Sequence, residues 1–234
     1  MTDTQPVAPR PSAALPQAAA EPDPRRQIAL IVGVCAAVAF VLLQVVVAFG
    51  GRQPLPIDVW WHGLMVATLT DAGVVIAWIP SIVGGTIGGF VIGIVVAIVF
   101  LHLKRKWDAA TFALAVIVVV AIGAPMSYIV GRVRPSDSLA ESIPTSFPSG
   151  HTAVATTMAI ILALLLRRWY VWVGGVVWVV WMMWARGYLH AHWLSDIVAG
   201  LLEGIAVACL VWYAVEAFRE RRALRARHEA GAQA

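Results

Sequence analysis

Six apolar runs dominate this chain, at about Ile28 to Phe49, Ile82 to Leu103, Ala109 to Val130, Thr152 to Leu166, Tyr170 to Trp184 and Leu194 to Val215. At ~1.5 Å per residue, a helix of about 20 residues crosses a ~30 Å hydrocarbon core. Only helices and closed barrels satisfy their backbone polar groups there. The runs therefore predict an all-α, polytopic membrane protein built as a six-transmembrane-helix bundle. Composition agrees, since 13% of the 234 residues are charged against roughly 25% in an average soluble domain. The net charge of +4 is spread as short clusters between apolar runs, a pattern of membrane topology and not of nucleic-acid binding. Cys35 and Cys209 sit inside apolar runs without disulfide or zinc spacing.

Residues 1–24 are rich in Ala and Pro, contain no apolar run and read as a disordered N-terminal tail. The membrane domain is expected over 25–218, followed by a basic tail over 219–234. Between the first two runs, Ile57 to Ile79 mixes aromatic residues with Asp58, His62 and Asp71, which suits an interfacial helix ended by Pro80. A solvated face is the expectation for those three polar residues. The glycines Gly84-Gly85, Gly88-Gly89 and Gly93 in the next run suit close helix contact.

With the N-terminus cytoplasmic, six crossings put Arg25-Arg26, Lys104 to Lys106, Arg167-Arg168 and the basic tail on that side. Both termini are then cytoplasmic. Arg132, Arg134 and Arg186 fall on the extracytoplasmic side against this bias, and an anion is the simplest reason for them. Ionisable residues at membrane depth are functional candidates by default.

Three segments carry that chemistry. In Gly131-Arg-Val-Arg-Pro135 the two guanidinium groups suit bidentate grip on phosphate oxygens or, equally, snorkelling to headgroups. Ser146-Phe-Pro-Ser-Gly-His-Thr152 opens a helix, where free N–H groups, the Ser149 hydroxyl and Gly150 suit an anion and His151 a proton transfer; a plain N-cap is the bland alternative. In Ala185 to Asp196, His192 and Asp196 stand four residues apart, so the carboxylate can orient the imidazole as a nucleophile. His190, His192 and Asp196 also offer three metal ligands, although nearby arginines favour an anion and no cofactor is expected.

These segments resemble the three signature motifs of the type 2 phosphatidic acid phosphatase (PAP2) superfamily. Arg134-Pro135 matches the end of the first motif, Pro148 to His151 the whole of the second, and Arg186, His192 and Asp196 the third. The first-motif lysine falls at Ser127 and the third-motif serine at Ala185. The resemblance implies a metal-independent membrane phosphatase acting on a lipid phosphate, with a polyprenyl (pyro)phosphate or a glycerophospholipid precursor as substrate. It implies His192 as nucleophile through a phosphohistidine, His151 as proton donor, Asp196 as orienting group, and Arg134, Arg186, Ser149 and Gly150 on the phosphate. Ser127 supplies a hydroxyl in place of the charge, and Arg132 is the candidate to replace it. The departures leave a catalytically weakened lipid-phosphate binder as the alternative, beside a metal-dependent hydrolase using His190, His192 and Asp196. The membrane runs disfavour the soluble haloperoxidase branch.

Overall fold

The computed structural model describes residues 23–232, which leaves most of the expected N-terminal tail outside the described residues. Eight helices account for nearly all of the described chain. Helix α1 (Pro24–Phe49) starts where Asp23 accepts the Arg25 amide, and it packs lengthwise on the last helix. Helix α2 (Pro56–Ala67) begins with a proline in the first turn, where the missing N–H costs no helical bond.

The region expected as one interfacial helix is two. Helix α2 stops at Thr68, and α3 (Asp71–Val83) starts after a break capped by the Thr70 hydroxyl, which accepts the Gly73 amide. Tyr188 Oη holds this break, accepting from Thr70 N at 2.9 Å and donating to Thr68 O at 2.7 Å. Pro80 does not end α3 but lies within it. The chain instead bends at Gly84-Gly85, by 48°, into α4 (Thr86–His102). The proline removes one helical donor, while the two glycines lower the cost of non-helical backbone.

Helix α5 (Lys106–Val130) ends at Gly131, whose φ of +58° lies in the left-handed region. A long connection leads to α6 (Gly150–Leu166), then α7 (Trp169–Tyr188), a tight turn, and α8 (Leu194–Ala232). The basic C-terminal segment is thus no separate tail where it is described, because it continues α8 as helix. Helix α6 is the hub, packed on α5, α7 and α8. Gly200 and Gly204 make its contact with α8 possible: a Cβ on Gly200 would lie 2.4 Å from Ser149 O, and one on Gly204 would lie 2.6 Å from Thr156 Cβ. Two glycines four residues apart on one helical face let the backbones approach.

By length and composition, α1, α5 and α8 each suffice to cross a membrane, and α3 with α4 make a fourth candidate as one bent span. Helix α6, at 17 residues, is shorter. Apolar side chains such as Val38, Leu42, Ile98, Ile117 and Val177 point outward. Such a surface suits lipid and not water. The fold is that of a multi-pass membrane protein.

Candidate active site

The three segments singled out in the sequence meet at one end of the bundle. The α5–α6 connection, residues 131–149, is pinched at its base by a bridge between Val133 and Thr145, with Arg134 N donating to Pro144 O and Ser146 N to Arg132 O, both at 3.0 Å. Its outer part is stitched to the α7–α8 turn, where Leu139 N donates to Leu189 O at 3.0 Å and Trp193 Nε1 to Val133 O at 2.9 Å. Ser149 N donates to Asp196 O at 3.0 Å, tying the start of α6 to the start of α8.

His192 is buried in the turn before α8. Its Nδ1 donates to the Ser146 carbonyl at 2.7 Å, which fixes the proton there and leaves Nε2 with a free lone pair. Asp196 was expected to do this, but its nearer oxygen lies 3.9 Å from Nδ1. Both of its oxygens are taken: Oδ2 accepts the Trp193 amide at 3.0 Å and Oδ1 accepts from Arg132 at 2.6 Å. Burial, and then the neighbouring Arg186, Arg134 and His151, hold the His192 imidazole well below its ordinary pKa of 6.5, against the Ser146 hydrogen bond. It is therefore neutral at physiological pH, as a nucleophile must be.

Arg132 is placed differently from the expectation. Its guanidinium is fully buried and bonded to Asp58 Oδ2 at 2.6 Å, Asp196 Oδ1 at 2.6 Å, Ser195 Oγ at 2.6 Å and Gln53 O at 3.1 Å. It joins α2 to α8 and does not face the phosphate position. Asp58, expected on a solvated face, is also fully buried and accepts from Leu55 N, Ser195 N and Ser195 Oγ besides Arg132. Two carboxylates share one guanidinium, and the Leu55, Trp193 and Ser195 donors satisfy their remaining oxygen lone pairs, which lowers the cost of burying them.

Arg134 donates Nε to Ile143 O at 2.9 Å, Nη2 to Thr145 O at 2.7 Å and Nη1 to Ala191 O. Three of its five N–H groups are used, and two remain for an anion. Partial burial lowers its pKa from the ordinary arginine value, and the neighbouring Glu141 and Asp196 carboxylates oppose that shift. Arg186, 1% exposed, donates Nη1 to Ser81 Oγ at 3.3 Å and Nη2 to Glu141 Oε1 at 2.5 Å, while its Nε has no partner among the described residues. Glu141 Oε1 also lies 3.9 Å from His151 Nδ1. A carboxylate thus sits between an arginine and a histidine where an anionic substrate would be held. Replacing Glu141 by Gln is expected to tighten inhibition by orthovanadate about tenfold, the equivalent of one charge-assisted hydrogen bond. An unchanged inhibition constant would show that the carboxylate does not compete.

Ser149 is buried, its hydroxyl 3.0 Å from Thr152 Oγ1, and Gly150 opens α6 with no side chain over its amide. Ser127, in α5, turns its hydroxyl back toward Gly123 O at 3.5 Å. It lines, with Gly150 and His151, an apolar cavity of about 540 Å³ between α4, α5 and α6. Gly84, Gly85, Gly89 and Gly93 line the same cavity, and Gly84 also allows a close helix contact, since a Cβ there would lie 2.3 Å from Met182 Cε. The metal reading of His190, His192 and Asp196 is not supported, because His190 turns away toward Asp137 while His192 faces Ser146. Sequence reasoning missed Asp58, Ser81, Glu141 and Ser195. For Asp58 a signal existed in its place on the first turn of a helix, in a segment that the charge pattern assigns to the same side as the arginines. For Ser81 there was none.

The profile of the PAP2 superfamily matches residues 108–220, which contain Ser127, Arg134, Ser149 to His151, Arg186, His192 and Asp196. An undecaprenyl-diphosphatase of Sulfolobus acidocaldarius is 28% identical over 156 residues, covering 64% of this chain and 68% of that protein. YbjG of Escherichia coli is 32% identical over 115 residues, covering 42% of this chain and 56% of its own. The transmembrane PAP2 type phosphatidylglycerolphosphate phosphatase from Bacillus subtilis superposes with a TM-score of 0.68 over 81% of this chain and 96% of its own, at 18% identity, a likeness of fold. The residues that the PAP2 superfamily profile matches, just under half of this chain, include those that assemble at one end of the bundle, and the fold is like that of a solved PAP2 type phosphatase.

Proposed function

We propose that the protein is a membrane phosphatase that removes the terminal phosphate of a lipid phosphate or pyrophosphate through a phosphohistidine on His192. The observation that carries this reading is the meeting of a basic polar pocket with an apolar cavity at His151. A phosphate head fits among Arg134, Arg186 and the α6 N-terminus, while an acyl or polyprenyl tail fits the cavity. The names of the Sulfolobus relative and of the Bacillus structural neighbour, both phosphatases of lipid phosphates, agree with that pairing.

In the first step the Nε2 lone pair of His192 attacks phosphorus, forming the N–P bond as the bond to the leaving oxygen breaks. His151 gives that oxygen its proton. In the second step water attacks phosphorus and gives a proton to His151. The N–P bond breaks, its electrons return to Nε2 and inorganic phosphate leaves. Arg134, Arg186, Ser149 and the Gly150 amide stabilise the charge spread over the equatorial oxygens. Asp196 acts indirectly, by holding Arg132 and the Trp193 amide so that the turn carrying His192 keeps its shape.

The same reading counts six spans: α1, the bent α3–α4 pair, α5, α6, α7 and α8, with α2 at the interface. Both termini are then cytoplasmic and the pocket extracytoplasmic. The deciding experiment follows phosphate release from polyprenyl diphosphate, polyprenyl phosphate, phosphatidic acid and phosphatidylglycerolphosphate, with and without EDTA. Release from at least one lipid that persists in EDTA is expected. Loss of release on chelation would point to a metal-dependent route, and no release from any lipid would make the protein a binder weakened by Ser127 in place of lysine.

A further inference from the structure

A second cluster lies outside the phosphate pocket. We propose that His62, Asp137 and His190 bind a divalent transition cation of the zinc type, which fastens together three segments that build the pocket. His62 comes from α2, Asp137 from the α5–α6 connection that carries Arg134 and Glu141, and His190 from the α7–α8 turn that carries His192. Asp137 Oδ2 lies 3.1 Å from His62 Nε2 and 2.9 Å from His190 Nδ1, and one ligand atom from each residue lies within 4.8 Å of the others. Nitrogen and oxygen ligands at ~2.0–2.1 Å from a tetrahedral zinc stand ~3.3 Å apart, so small side-chain rotations complete the geometry.

His190 gives the independent reason to expect a ligand. It is 3% exposed, and neither ring nitrogen has a hydrogen-bond partner among the described residues; Nδ1 is close to Asp137 but off the line of a hydrogen bond. Its backbone is held at a φ of +51°, a conformation uncommon for a non-glycine residue. A buried imidazole with both nitrogens unmet is costly, and coordination at Nδ1 removes much of that cost. The His62 ring packs against His190 at 4.7 Å and Trp193 at 5.3 Å between centroids, which fixes its direction. Asp137 is half-exposed, leaving the fourth position to water.

The neighbouring arginines do not forbid a cation. Arg132 is compensated by Asp58 and Asp196, and Arg186 by Glu141, while Arg134 has no ion pair among the described residues but turns its donors onto the Ile143, Thr145 and Ala191 carbonyls. The cation touches none of the groups assigned to phosphorus, so it would position segments without entering the reaction. Chelation is then expected to lower the thermal midpoint while initial rates of phosphate release persist.

The test uses the full-length chain in detergent, stripped with EDTA and freed of chelator, and titrated with Zn²⁺ alone by calorimetry. Co²⁺ substitution, read by its visible absorption, reports the ligand geometry. One equivalent per chain is expected. His62→Ala and, in case that variant does not fold, Asp137→Asn should weaken binding by more than about a hundredfold, beyond the roughly 10–100-fold effect of losing a group behind a ligand. His192→Ala should bind as the wild type does. Absence of uptake by the wild type, equal uptake by the folded His62 and Asp137 variants, or uptake lost in His192→Ala and kept in His62→Ala would each overturn the proposal. These readouts need no phosphatase activity, so they fail or succeed separately from the functional reading.

Discussion

His192→Ala is expected to lower kcat for phosphate release by on the order of 10⁴-fold or more, the scale on which removal of an attacking side chain acts in enzymes with a covalent intermediate. The variant should fold. His192 contributes one hydrogen bond, from Nδ1 to Ser146 O, and the loop it steadies is held independently by Leu139, Trp193 and Ser149. A matched thermal midpoint with turnover lost is the predicted pair of results. Acid-labile and alkali-stable label from a ³²P-substrate, present in the wild type and absent from the variant, would tie the loss to the N–P bond. Near-normal turnover in a folded His192→Ala protein would remove the nucleophile assignment.

The second large effect is on stability. Arg132→Leu takes away the one cation that lies between Asp58 and Asp196 and leaves two buried carboxylates with no counter-charge. Breaking a buried pair in this way costs about 3–5 kcal/mol, which for a domain of this size lowers Tm by on the order of 10 °C. Adding Asp58→Asn and Asp196→Asn to Arg132→Leu should recover much of that loss, since neutral amides are less costly to bury than unpaired charges. If Arg132 were a phosphate ligand, the single variant would keep its Tm and raise KM. A raised KM with unchanged Tm is therefore the result that would restore the role assigned from sequence.

The helices were legible because lipid leaves so few options. Long apolar runs bounded by Lys104 to Lys106 or Arg167-Arg168 leave little alternative to helices ending there, and the boundaries of α5 and α6 agree within a few residues. The segment between α1 and α4 was less legible. Its break at Thr68 to Thr70 depends on Tyr188, far away in sequence, and Pro80 proved weaker as a terminator than the Gly84-Gly85 pair. For the site, the segments that spacing singled out, with Arg134, Ser149 to His151, Arg186 and His192, lie at one end of the bundle. Spacing does not say which acceptor wins. The i, i+4 spacing suggests one helical face, yet His192 lies in the turn before α8, and Arg132 and a helix-start amide claim the Asp196 carboxylate first. Arg132 and Arg134, two residues apart, point to opposite duties for the same reason: one meets Asp58 and the other meets carbonyls of its own loop. Charge alone cannot be assigned a partner until the fold supplies one.

The cavity between α4, α5 and α6 has one further consequence. Its walls include Phe90, Ile94, Ile117 and Val120, all of which are also exposed on the outer surface, so it opens sideways toward the acyl chains. In the proposed orientation the polar end faces the aqueous edge. On the proposed chemistry the two products separate into different phases: the lipid product, an alcohol or a monophosphate, diffuses away in two dimensions and inorganic phosphate in three. Re-encounter of both at one site becomes rare, and the layout gives the forward reaction a kinetic directionality without any moving part.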